Sequence, residues 1–147
     1  MLVMPADALA HLVAVMESSP AMYLADSGIW SYPGDESLKL ALADVVSSQR
    51  GIVDRAAGIL ADREVPVPQT GYPLSYTAWH DLDLTFLLQR VIEGMRGQVV
   101  RLDAILSSGT NDAAALDLAR EAVATTRSHI DVLDQQAARL RRAPTSA

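Results

Sequence analysis

Few side chains in this sequence could do chemistry, and their types narrow what that chemistry would be. There are three histidines, His11, His80 and His129, and no cysteine. Disulfides, thiolate metal sites and thiol nucleophiles are therefore excluded. No serine stands at a spacing from His129 that reads as a nucleophile–base pair. Gln49 and Thr126 are polar residues inside apolar stripes on two different helices. The pattern predicts a buried pair that satisfies itself by hydrogen bonding and fixes register, as a lone Asn does in coiled coils. His80-Asp81 reads as a local pair at a helix start, where a carboxylate suits the helix dipole.

The elements that must position these residues are set out by proline, which a helix interior does not tolerate. The stretches between Pro5, Pro20, Pro33, Pro66, Pro68, Pro73 and Pro144 carry helical periodicity, and none shows the alternation of a strand. A first helix is predicted from Pro5, with Leu9, Leu12, Val13 and Met16 on one face. Ser19-Pro20 marks a kink or a break, with a restarted turn through Leu24. A loop with Trp30 and Tyr32 follows. The second helix is expected from Asp35 to about Glu64, on a seam of Leu38, Leu42, Val45, Gln49, Ile52, Ala56 and Ile59. The third is expected from Thr77 to Ser107, on Leu84, Leu88, Val91, Met95, Val99, Leu102 and Leu106. Ser108-Gly109-Thr110 is a tight stop. The fourth begins near Asn111 or Asp112, on Ala115, Ala119, Val123, Thr126, Ile130, Leu133, Ala137 and Leu140.

At 147 residues the chain is one domain's worth, and its core must be mostly aliphatic because only 5% of it is aromatic. The formal charge of −6 argues against non-specific nucleic-acid binding. No apolar run approaches the roughly 18 residues of a membrane span. Met1 to Val15 lacks a basic start and is interrupted by Asp7, so the cytoplasm is the expected compartment.

Four amphipathic helices in one domain, 1–147, predict an all-α four-helix bundle. The short third connection makes the last two helices antiparallel neighbours. The connector from Val65 to Tyr76, stiffened by Pro66, Pro68 and Pro73, is long enough when extended to run the roughly 40 Å of the second helix. It is read as one long crossover between helices two and three. On this pattern, with Tyr72-Pro73-Leu74-Ser75-Tyr76-Thr77-Ala78-Trp79-His80-Asp81-Leu82 leading into the third helix, the chain resembles the ferritin-like superfamily, and most of all its small uncharacterised bacterial members. That resemblance implies a carboxylate from the first and third helices and a Glu-x-x-His pair from the second and fourth. Here the second helix has Gln49 and Ile52 at the paired positions, and the fourth has Thr126 with only His129 kept. The three-histidine metal site of DinB-like bundles is absent too, because Leu133 stands four residues after His129 and the second helix has no histidine. Of the carboxylates the resemblance implies, Glu93 in the third helix falls about 170° from the seam and faces away from the bundle axis, while Glu17 in the first lies at the seam's flank. Glu17 and His129 are thus the weak candidate metal ligands, and two ligands do not close a site. The full di-metal ligand set is therefore missing, and no cofactor is expected.

Tyr23, Trp30, Tyr32, Tyr72, Tyr76 and Trp79 flank the two long connectors and are expected to pack them onto the bundle. An aromatic-lined ligand pocket there is the rival reading. Trp79, Leu82 and Phe86 are expected to form an apolar patch on the back of the third helix, covered by the connector, the segment after Pro20 or a second copy. Gly51 and Gly58 on the outside of the second helix would let another element approach closely. The sequence thus predicts a non-catalytic bundle acting through self-association or a protein partner. A degenerate metal-dependent oxidoreductase and a small-ligand binder are the alternatives.

Overall fold

The computed structural model describes residues 7–26, 36–68, 71–81 and 84–142. Among them are five α-helices and one 3₁₀ helix, and no strand, so the fold is all-α. The helices are α1 (Ala8–Glu17), α2 (Pro20–Asp26), α3 (Glu36–Asp62), the 3₁₀ helix (Leu74–Asp81), α4 (Leu84–Leu106) and α5 (Ala113–Arg142). None of the described helices is long and apolar enough to cross a membrane. Pro5, Trp30, Tyr32, Asp35 and Leu82, and the side chains of His80 and Asp81, lie outside the described residues.

Asp7 starts α1 by accepting the backbone N–H groups of Leu9 and Ala10, at 2.8 and 3.1 Å. Leu9, Leu12, Val13 and Met16 are all buried. The first helix then breaks. Pro20 has no N–H to give the carbonyl of Met16, and the Ser19 N–H takes that oxygen instead, at 3.2 Å. Ser19 caps α2, its hydroxyl accepting the Met22 N–H at 3.2 Å, with Pro20 at the first helical position.

The α3 seam is buried from Leu38 to Ala56, but its last member is Leu60, and Ile59 is half-buried. The helix ends in a Schellman turn. Glu64 adopts the left-handed conformation at φ 58°, and the Val65 N–H reaches back to the Leu60 carbonyl at 2.9 Å.

The third long helix starts at Leu84, not at Thr77. Residues 74–81 wind more tightly, because a three-residue period brings Tyr76 and Trp79 face to face. Their rings stack at 4.1 Å, and the Thr77 hydroxyl donates to the Leu74 carbonyl at 2.7 Å. The α4 seam also differs from expectation. It runs Leu88, Val91, Met95, Gln98, Leu102 and Ile105, all buried, while Val99 and Leu106 lie at its flank. These steps alternate three and four without a break, as a heptad requires. The polar Gln98 hid that regularity. The α5 seam is buried from Ala115 to Ala137, and Leu140 is half-buried.

Of the expected Trp79, Leu82 and Phe86 patch, Leu82 lies outside the described residues, and Trp79 and Phe86 do not share one α-helix. Trp79 belongs to the 3₁₀ helix and is buried, whereas Phe86 is on α4 and 62% exposed. A wheel drawn at α-helical spacing cannot relate them. Among the described residues, no atom lies within 4 Å of a Cβ built at Gly51 or Gly58.

Side-chain ladders fix the helix senses. Ser37 meets Gln136, Ser48 meets His129, Arg55 meets Glu121 and Arg63 meets Asp112, so α3 and α5 are antiparallel. Arg96 with Asp134, and Asp103 with Arg127, make α4 and α5 antiparallel as well. α1 and α2 both pack on α3 and α4, opposite α5. The core falls into two clusters. One holds α1, the second half of α3, the end of α4 and the start of α5. The other holds α2, the first half of α3, the 3₁₀ helix, the start of α4 and the end of α5.

Candidate functional site

Between the two clusters lies a polar layer. The four buried polar residues among those described are Ser19, Gln49, Gln98 and Thr126, each 2% exposed or less. They come one each from the α1–α2 junction, α3, α4 and α5, and each sits between the last core residue of one cluster and the first of the other. The hydroxyl of Ser19 donates to Gln49 Oε1. Gln49 Nε2 donates to Gln98 Oε1 at 3.2 Å, and Gln98 Nε2 donates to the carbonyl of Val15 at 3.1 Å. That carbonyl is available because the helix breaks one turn later. In an unbroken helix the Ser19 N–H would occupy it. No buried side-chain nitrogen or oxygen among the described residues lacks a partner, as burial in a low-dielectric interior requires.

Gln49 therefore does not pair with Thr126: both ends of its amide are taken by Ser19 and Gln98. Gln98 and Ser19 are the members that sequence reasoning missed. The signal for Gln98 was the unbroken three-and-four spacing through it. Chemically, the layer is neutral, and the oxygens of both glutamines already accept a hydrogen bond. It offers no negative charge to a divalent cation.

The structure does not bring Glu17 and His129 together. Among the described residues no group of three or more His, Asp or Glu side chains could hold a metal ion. His129 Nε2 lies 3.1 Å from the Ser48 hydroxyl, a contact between helices that no sequence spacing announced. Burial pulls the imidazole below its usual range, against the opposing pull of the Asp44 carboxylate. Ser48 and His129 both sit within helices whose backbone N–H groups are spent on the helix itself, so no oxyanion donors flank them. The pair reads as a packing contact. Glu93 is exposed and pairs with Arg90 at 3.4 Å, one turn away on the same helix.

The aromatic residues do converge. Tyr23, Tyr72, Tyr76 and Trp79 form one cluster that holds the connector against α2 and α4, with Tyr23 5.1 Å from Tyr72 and 5.3 Å from Tyr76. The Tyr76 hydroxyl donates to the Ser18 carbonyl at 2.9 Å. The Tyr72 hydroxyl donates to Asp26 at 2.7 Å, and Arg50 donates to the other Asp26 oxygen at 2.8 Å. Burial, and then the bond to Asp26, raise the Tyr72 phenol above its ordinary range. Beside this triad an open groove of about 550 Å³ runs between the α1–α2 break, α3 and the connector, with Glu17 and Asp54 on its polar side.

No protein-family model matches the chain, and no curated protein is similar to it. Among solved structures it is similar to a conserved hypothetical protein from Mycobacterium tuberculosis. The TM-score is 0.67 at 18% identity, over 95% of this chain and 92% of that chain. A likeness at that identity shows a shared fold.

Proposed function

We propose that the protein is a four-helix bundle of ferritin-like connectivity that works by association, not by turnover. α3 and α4 are both antiparallel to α5, which favours a common direction for the two and a connector that returns along the bundle. On this reading α1 and α2 serve as one interrupted first helix. The observation that carries the non-catalytic reading is the closed polar layer. Neutral amides and hydroxyls stand where metal-binding bundles of this resemblance need acids.

Association is supported by two exposed apolar side chains, one before and one after the buried Trp79 along the chain: Leu74 on the 3₁₀ helix is 86% exposed and Phe86 at the start of α4 is 62% exposed. The occupant we favour is a second copy of the chain, because a two-fold axis can pair like patches. Light scattering on the intact protein is expected to give a dimer that Leu74→Ser with Phe86→Ser returns to monomer. A wild-type monomer at every concentration points instead to a different partner protein. Titration with ferrous iron followed by oxygen is expected to give no saturable binding and no oxidation signal. Two ions bound per chain would replace this reading with that of an oxidoreductase.

A further inference from the structure

α4 carries two stripes. The buried one, from Leu88 to Ile105, faces the core. The other faces outward. Phe86, Arg90, Glu93, Gly97 and Val100 follow one another at steps of four, three, four and three, which keeps them within about 80° of one another around the helix. Phe86 and Val100 are 62% and 69% exposed, and the side chains of Arg90 and Glu93 are more than half exposed. This is the spacing of a second helix–helix seam. It borders an open groove of about 560 Å³ whose far wall is the 3₁₀ helix, at Ser75 and Ala78. A glycine in mid-helix lowers helix propensity and lets another group approach the backbone. Gly94 is used within the chain, since Pro20 of α2 lies 2.8 Å from where its Cβ would stand. At Gly97, no atom of the described residues comes within 4 Å of such a Cβ, so the outer stripe has a notch there.

The order of residues along the stripe is self-complementary. Arg90 and Glu93 carry opposite charges on either side of one point. Phe86 stands four residues before Arg90, and Gly97 stands four after Glu93. One two-fold axis through that point lays two copies of α4 antiparallel and satisfies both relations at once, because in such a contact each residue meets the same partner position twice. Resting on the self-association proposed above, we infer that this stripe is the contact itself: Arg90 pairs with the partner's Glu93, and Phe86 fills the notch at the partner's Gly97. Within one chain Arg90 already lies 3.4 Å from Glu93, so the dimer joins two ion pairs into one alternating network. A parallel pairing of the same stripes sets Arg90 against the partner's Arg90 and is repelled.

Light scattering and sedimentation of the intact protein test the register. Arg90→Glu and Glu93→Arg, both at exposed positions, are each expected to weaken the homodimer about tenfold or more, because each sets like charges together. Mixed one to one, the two variants are expected to form a heterodimer, since one is then acidic where the other is basic. Neither a folding defect nor the pair within one helix produces that rescue. Gly97→Leu adds a side chain where no described atom stands, and is expected to give a monomer with unchanged circular dichroism. A wild-type monomer overturns the self-association on which the register rests. A wild-type dimer that keeps its affinity in both charge variants, whose variants fail to pair on mixing, or that Gly97→Leu leaves intact overturns the α4 contact and leaves self-association standing.

Discussion

On one side of the polar layer the core is aliphatic. Leu9, Leu12, Met16, Ile52, Leu60, Leu102, Ile105 and Leu118 interlock there with no ring among them. The α4–α5 turn closes that end with Gly109 in the left-handed conformation at φ 79°. Arg63 clamps Asp112 with two bonds, of 2.6 and 2.9 Å, and its guanidinium holds the Asp112 carboxyl below its ordinary range. On the other side the first helix has broken, the chain returns through a 3₁₀ turn, and Tyr76 and Trp79 enter the core. Where helices run unbroken and the connection is short, aliphatic spacing is enough to specify the packing. Where an irregular connector must be held against a bundle, rings supply large contact areas, and their hydroxyls reach directed partners at Asp26 and Ser18.

The contrast predicts different failures on the two sides. Leu102→Ala in the aliphatic half should cost about 2–5 kcal/mol and weaken amide-exchange protection in every helix, because Leu102 is fully buried in a cluster shared by α1, α3, α4 and α5. Trp79→Ala removes more surface. It should release protection chiefly in the 3₁₀ helix and α2 while α5 stays protected. Equal loss of protection everywhere in Trp79→Ala would mean that the two halves unfold as one.

Glycines sharpen the comparison at smaller cost. A Cβ at Gly94 would sit 2.8 Å from Cγ of Pro20, where α2 presses on α4, whereas a Cβ at Gly58 meets open space. Gly94→Ala should destabilise by about 1 kcal/mol or more despite its better helix propensity. Gly58→Ala should stabilise by up to about 1 kcal/mol. Urea unfolding of both variants decides it, and a stabilised Gly94→Ala would show that the α2–α4 contact yields freely.

The smallest effect is a pH dependence. The His129 imidazole is held below its ordinary value of about 6.5, chiefly by burial. A depressed folded-state value means that the fold prefers the neutral ring. The contribution is present above the unfolded value and is lost as pH falls through the folded one. His11, depressed by burial and then by Arg101, acts in the same direction. Stability should therefore decline as pH falls below 6.5, and His129→Gln should flatten part of that decline. An unchanged slope would place the titration elsewhere.

Much of the aliphatic half was legible in the sequence. The α3 and α5 seams could be read from the spacing of Leu, Val, Ile and Ala up to their last members, where Leu60 and not Ile59 closes α3 and Leu140 is only half-buried. The role of Tyr72, Tyr76 and Trp79 in holding the connector was legible too, since rings beside a long loop have few other uses. The 3₁₀ turn was not. Its cause is a stacking contact that only tertiary structure reveals, and without it Thr77 reads as an α-helix start. Most of the polar layer was hidden for a related reason. Gln49 and Thr126 stood out as polar intrusions in otherwise apolar seams. Ser19 reads only as part of the Ser19-Pro20 break, and the expected α4 seam passes over Gln98 for Val99. The bonds from Ser19 through Gln49 to Gln98 end on the Val15 carbonyl, whose usual helical donor, the Ser19 N–H, turns to Met16 at the break.

The central claim is that this layer is a connected network joining the two halves of the core. A double-mutant cycle between Gln49→Met and Gln98→Met measures the connection directly, since methionine keeps the length of the side chain and removes its hydrogen bonds. Each single change should cost about 1–3 kcal/mol by leaving its partner unsatisfied. The double variant should cost less than the sum of the two by about 1 kcal/mol or more. Two costs that simply add, to within about 0.3 kcal/mol, would contradict the account.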